Sequence, residues 1–164
     1  MRLAGLLAGA LALSGCGLQP LYGGGPDGSV RAALSGVQVA PIEGQSGWLV
    51  ANALKDRLEA QGAARYRLEV QLDDRIAGLG VRRDDSVTRE RRTLRARYQL
   101  VDLSNGQVVL DATAGSDAGI DVVGSEYATI AAEQTALERL SGIVADQIVA
   151  RVARFARSPA AGAK

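Results

Sequence analysis

The chain has 164 residues, 47% hydrophobic and 23% charged, with a formal net charge of +1, no histidine and one cysteine. That length suits one domain with an ordinary core, and the charge balance excludes both a charge-dominated disordered chain and a whole-chain electrostatic nucleic-acid binder. Without histidine there is no Ser-His or Cys-His catalytic pair and no histidine-ligated zinc, and a lone cysteine cannot close an internal disulfide.

The N-terminus reads Met1-Arg2, then the apolar run Leu3 to Leu13, then Ser14-Gly15-Cys16. One positive charge, a short apolar run and small residues describe a secretory signal peptide, too short to persist as a membrane span. Leu13-Ser14-Gly15-Cys16 also resembles the bacterial lipobox, in which the cysteine thiol is diacylated and the signal is cut just before it. The alternative is an ordinary cleavable signal followed by a chance cysteine. The lipobox reading makes residues 1–15 a lipoprotein signal and Cys16 the lipidation site, with each buried methylene of its acyl chains adding about 0.8 kcal/mol to membrane retention. By resemblance to sorted lipoproteins, Gly17 in place of Asp favours the outer membrane over the inner one. Gly17 to Gly36 is rich in Gly, Pro and Ser, so 16–36 reads as a lipidated tether.

Cys16-Gly17-Leu18-Gln19-Pro20-Leu21-Tyr22-Gly23 resembles the mature start of the LptE family of lipopolysaccharide-assembly lipoproteins, with Leu18 in place of the usual Phe. The resemblance implies a non-enzymatic lipoprotein, without cofactor, on the periplasmic side of the outer membrane. It implies a partner, the LptD β-barrel, inside which the protein would sit as plug and assembly factor, and contact with lipopolysaccharide as a second association.

The folded part, 37–157, is read from its own residues. Val37 to Ile42 is a short β-prone run that Pro41 limits. Gly44 to Gly47 reads as a turn. From Trp48 to Gln61, Val50, Ala51, Leu54 and Leu58 recur at helical spacing, and Gly62 ends the helix. Trp48 is expected as a core or staple residue rather than a ligand platform. Tyr66, Leu68, Val70 and Leu72 alternate with polar residues as in a half-buried strand. Gly78-Leu79-Gly80 reads as the start of a connection through Arg82-Arg83-Asp84-Asp85. The next strand carries Leu94, Ala96, Tyr98 and Leu100 on one face and Arg89, Arg91, Thr93, Arg95 and Arg97 on the other.

Asn105-Gly106 marks a hairpin with two candidate registers. A two-residue loop places Leu100 opposite Asp111 and mixes arginines into the apolar face. A three-residue loop, Ser104-Asn105-Gly106 with Gly106 left-handed, places Leu100 opposite Leu110. It also puts Val108, Leu110, Ala112 and Ala114 on the apolar face, so the pattern favours it. Gly115 to Gly124 reads as loosened chain. Ser125 is a helix cap, and Tyr127, Ile130, Ala131, Leu137, Leu140, Val144, Ile148, Val152 and Phe155 define one amphipathic helix of about 45 Å, with Gly142 a weak point. Residues 158–164 read as a frayed tail. The expected class is α+β: a mixed sheet of about four strands with two helices on one face, the C-terminal one long.

The arginine face is left bare by this inventory. Residues 82–97 hold seven arginines against three acids, whereas residues 98–138 hold seven acids and no base. Arg89, Arg91, Arg95 and Arg97 are the candidate contacts on one strand face, where arginines two residues apart stand about 7 Å from each other. Three readings stay open: a solvated face with cross-strand ion pairs, a surface for an acidic barrel wall, or direct binding of lipopolysaccharide phosphates and carboxylates. Asp73-Asp74 and Asp84-Asp85 do not converge as a catalytic pair on a strand. A periplasm-facing interaction module of another envelope complex is the competing function.

Overall fold

A computed structural model of the chain describes residues 34–58, 60, 63–81, 87–122 and 124–158. The signal, Cys16, the tether to residue 33, Arg82-Arg83-Asp84-Asp85 and the tail beyond Ser158 lie outside the described residues. The element order is β1 (Val37–Val39), α1 (Gly44–Leu58), β2 (Tyr66–Val81), β3 (Val87–Asp102), β4 (Gln107–Asp121) and α2 (Glu126–Arg157). The strands form one mixed sheet in the order β1-β2-β3-β4, with β1 parallel to β2 and the other pairs antiparallel. The α+β class, the four strands and the long C-terminal helix are as the sequence pattern predicts.

Period-two alternation puts Leu68, Val70, Leu94, Ala96, Tyr98, Leu100 and Ala114 on one sheet face. They meet Val50, Leu54 and Leu58 of α1 and Leu137, Leu140, Val144, Ile148 and Val152 of α2 in a single core. The helices run parallel. Gln45 Nε2 donates to Gln134 Oε1 at 2.9 Å, and Arg57 Nε donates to Asp146 Oδ1 at 2.5 Å, both across the same offset of 89 residues. α2 runs unbroken through Gly142, whose carbonyl accepts from Arg57 Nη2 at 3.5 Å. Among the described residues, no helix is long and apolar enough to cross a membrane.

Several local expectations are corrected. Leu34, inside the segment read as tether, is buried in the core. α1 begins at Gly44 rather than Trp48. Gly47 permits this: a Cβ there would lie 2.6 Å from the Ile42 carbonyl oxygen. Trp48 is 64% exposed, not a core residue. β2 continues through Gly78 and β4 through Gly115 and Gly119, because each of these glycines has a ladder partner on β3.

The hairpin keeps the predicted pairing but not the predicted loop. Leu100 lies opposite Leu110, and Gly106 has φ +71, yet Asp102 pairs with Gln107, so Leu103 joins the loop. A register shift between Leu100 and Val101 reconciles the two. The cause is Asp102: its Oδ1 accepts from Ser104 N at 2.8 Å and Ser104 Oγ at 2.6 Å, which starts the turn one residue early. Val108 therefore faces Val101 and is 49% exposed instead of joining Leu110.

The start of α2 also departs from expectation. Ser125 makes no side-chain capping bond. Tyr127 and Ile130 are 88% and 56% exposed. At this level the sheet offers α2 a polar tie, Arg92 Nη1 donating to the Glu133 carbonyl oxygen at 3.0 Å; Ala132 packs partly buried against the core, and the stripe is fully buried only from Ala136 onward.

Candidate functional site

The face turned away from the helices carries all four predicted arginines. β2 contributes Arg67, Glu69, Asp73 and Arg75 to it, and β4 contributes Asp111, Asp117 and Asp121. Three stripe arginines have aspartate partners on β4. Arg89 Nε donates to Asp121 Oδ1 at 3.0 Å. Arg95 Nη2 lies 3.3 Å from both Asp117 oxygens. Arg97 Nη2 donates to Asp111 Oδ2 at 3.0 Å. Glu69 pairs instead with Arg67, and Asp73 with Arg75, along β2. Arg91 has no carboxylate at salt-bridge distance among the described residues. It stands opposite Gly119, where β4 offers no side chain.

Neutral donors reinforce the acids. Asp111 is held below the usual carboxylate range by the hydrogen bond from Arg97 and then that from Gln99. Asp117 is lowered by Thr93 Oγ, 2.7 Å away, and then by Arg95, with the field of Arg91 adding to it. These pairs are largely exposed, so each adds little to stability and is screened by salt. What they fix is arrangement: a zipper of alternating charge in which, among the described residues, Arg91 is left without a salt-bridge partner.

A shallow depression of about 690 Å³ opens around Gly115, lined by Arg95, Arg97, Thr113, Asp117 and Gln147. A second, of about 480 Å³, adjoins it through Thr113 and Gln147 and continues past Tyr98 to Arg151 and Arg154. Gln147 closes the edge of β4 between them. Its Oε1 accepts from Gly115 N at 3.0 Å, and its Nε2 donates to Gly115 O at 3.3 Å, as a strand neighbour would. The joined grooves thus wrap from the arginine face over the edge strand to α2, with arginines at both ends. Arg151 and Arg154 are not among the arginines that the strand pattern singles out. The available signal was their spacing from Gln147, which sets all three on one helix face.

The other side of the sheet holds a charged residue that strand alternation alone does not mark as partnered. Arg92 forms a two-pronged pair with Asp74, at 2.9 and 2.7 Å, with the side chains 12% and 19% exposed. The nearby Glu90 carboxyl is raised by burial and then by Glu133, and Glu90 Oε2 has no hydrogen-bond partner. This cluster ties α2 to the sheet and stands apart from the grooves. Among the described residues, no group of three or more acids or cysteines could hold a metal ion.

A family model described as LptE, lipopolysaccharide-assembly, matches residues 34–152. Three solved structures share the fold. A Caulobacter crescentus protein described provisionally as a lipoprotein is 26% identical with a TM-score of 0.66, covering 78% of this chain and 95% of its own. A minor lipoprotein of Acinetobacter baumannii is 16% identical with a TM-score of 0.59, covering 73% and 92%. The rare lipoprotein B of Shewanella oneidensis is 14% identical with a TM-score of 0.51, covering 72% and 93%. Comparison with curated proteins gives no match.

Proposed function

This chain belongs to the LptE family of lipopolysaccharide-assembly proteins, and from that premise we propose that it is an outer-membrane lipoprotein acting with the LptD β-barrel as plug and assembly factor. The carrying observation is the family match across residues 34–152, which spans every strand and nearly all of α2. Cys16, in its lipobox setting, supplies the anchor on the periplasmic side. The protein holds and guides rather than catalyses.

Within this reading the arginine face is the contact surface, but its residues differ in role. Arg89, Arg95 and Arg97 are already matched by aspartates, so a partner must exchange with those pairs. Arg91 has no carboxylate at salt-bridge distance among the described residues, only the longer-range field of Asp117, so it is the easiest of the four to recruit. Lipopolysaccharide phosphates fit Arg91 and the arginine-ended grooves, whereas an acidic barrel wall fits the length of the zipper.

Detergent co-purification of the tagged, lipidated chain tests the partnership: a large outer-membrane β-barrel should be recovered in stoichiometric amount. Recovery of another envelope complex in its place would transfer the reading to the competing interaction module. Cys16→Ala should abolish palmitate labelling and membrane retention, and unchanged retention would remove the anchor. Arg91→Glu, compared with the double reversal at Arg95 and Arg97, separates the two surfaces. Loss of lipopolysaccharide binding in the first and of barrel recovery in the second is expected. Unaltered binding in both assays would leave the stripe a solvated face.

A further inference from the structure

We propose that the groove between the edge of β4 and the last turns of α2 binds a phosphate group, with the Tyr98 hydroxyl in its floor and Arg151 and Arg154 in its wall; this rests on the reading that the arginine-ended grooves take phosphates and narrows it to one place. Tyr98 stands on the core face of β3 opposite Ala112 of β4 and is 2% exposed. Ala112 is too small to cover the ring, so Tyr98 lines the groove of about 480 Å³ together with Thr113, Arg151 and Arg154. Its hydroxyl has no hydrogen-bond partner among the described residues, whereas a buried phenol ordinarily has one. Burial raises Tyr98 above the usual phenol range, and the fields of Arg151 and Arg154 oppose that rise. The hydroxyl therefore keeps its proton at neutral pH and is a donor beside two guanidiniums.

Those two cations are not explained by the fold. Arg151 and Arg154 are exposed one turn apart on α2, and among the described residues neither has a carboxylate at salt-bridge distance. Arg154 Nε donates to the Ala150 carbonyl oxygen at 3.3 Å, which lays this side chain along the helix. The acid that lines the groove, Asp111, is already engaged: Oδ1 lies 3.4 Å from Arg97 Nε, and Oδ2 accepts from Arg97 Nη2 at 3.0 Å and from Gln99 Nε2 at 2.9 Å. Like charges three residues apart on one helix face repel, and the helix dipole accounts only for the last turn, which holds Arg154 but not Arg151. An anion between them turns that repulsion into attraction. Donors from a sheet floor and a helix wall are not coplanar, which suits a tetrahedral phosphate; a flat carboxylate is met in plane by one guanidinium.

The test uses the mature lipidated chain in detergent with fluorotyrosine at its tyrosines, the Tyr98 signal being the one that Tyr98→Phe removes. Inorganic phosphate should shift that fluorine resonance saturably and leave the Tyr127 resonance in place. By calorimetry, Arg151→Gln, Arg154→Gln and Tyr98→Phe should each weaken phosphate binding by about tenfold, since each removes one hydrogen bond to a charged group. Arg139→Gln, at an exposed arginine further up α2, should leave it unchanged. Titrations with a phosphorylated glucosamine and with phosphatidylglycerol micelles then distinguish a glycolipid source from a phospholipid one, and saturation by inorganic phosphate alone would assign the site to the free ion. An equal loss in Arg139→Gln would reduce the effect to general attraction and overturn the site. No Tyr98 shift with any probe, in a chain that still binds lipopolysaccharide, would overturn this site and leave the proposed function standing. Loss of both responses would remove the two together.

Discussion

Arg95 and Gly115 face each other across β3 and β4, and the arginine side chain fills the space that a Cβ on residue 115 would need. That position lies 2.5 Å from Arg95 Cδ, 2.9 Å from its Nη1 and 3.0 Å from the Leu94 carbonyl oxygen. The glycine lets Arg95 lie flat and reach Asp117. Gly115→Ala should push Arg95 aside and destabilise the fold by about 1 kcal/mol, a typical overpacking cost. The decisive measurement is a double-mutant cycle in urea. With Arg95→Ala also present the penalty should shrink by about 0.5 kcal/mol or more, since the space is then free. Strict additivity would show that the two do not compete.

The half-buried pair between Arg92 and Asp74 is expected to matter more than any pair on the outer face. Its side chains are 12% and 19% exposed, and Arg92 also holds the Glu133 carbonyl oxygen. Removing the guanidinium with Arg92→Ala strands a largely buried carboxylate and should cost about 3 kcal/mol. Equilibrium unfolding gives the total, and amide exchange near Glu133 should accelerate. A loss no larger than that of Arg89→Ala would mean that the pair behaves as a surface one.

Opposite pH signatures are predicted for the two faces. The raised Glu90 carboxyl contributes stability that is full below its unfolded value and is lost as pH rises through its folded value. The lowered Asp111 and Asp117 contribute above their unfolded values and lose that contribution as pH falls through their folded ones. Glu90→Gln, which cannot ionise, should flatten the decline on the upper side of the glutamate range and leave the acid limb unchanged. A stability–pH curve identical to wild type on both limbs would contradict this assignment.

Trp48 gives the simplest check on the fold. At 64% exposure it should emit like a solvated indole, be readily quenched by acrylamide and change little on unfolding. Trp48→Ala should alter stability by no more than about 0.5 kcal/mol, as at ordinary surface positions. A blue, protected emission from the lipid-free folded chain would return Trp48 to the core.

The legible part of this molecule is periodic. Leu94, Ala96, Tyr98 and Leu100 alternate with Arg91, Thr93, Arg95 and Arg97, and that spacing alone puts the arginines on the face away from the core. The Leu100–Leu110 pairing was legible for the same reason, because the one-residue slip to a two-residue loop mixes arginines into the apolar face. The loop was not. An Asn-Gly pair suggested where to turn, but the Asp102 side chain binding Ser104 decided it, and the resulting bulge turned Val108 outward.

Glycines misled in a consistent way. Gly44, Gly78, Gly115 and Gly119 each look like punctuation in one dimension, yet one opens a helix and three lie inside strands. At Gly115 the use of glycine is to make room for Arg95, twenty positions back in the chain, which no local pattern contains.

By itself, then, the sequence determined the class of fold, the composition of each face and the arginine stripe, and carried the lipobox-like motif, because periodicity and short motifs are properties of neighbouring residues. The tertiary structure decided which arginines are matched and that Arg91 is not among the described residues, where Arg92 finds Asp74, how the grooves wrap over β4, and which apolar residues of α2 miss the core. Those outcomes depend on register, and register brings together charges and cavities from strands and a helix that the chain itself keeps far apart.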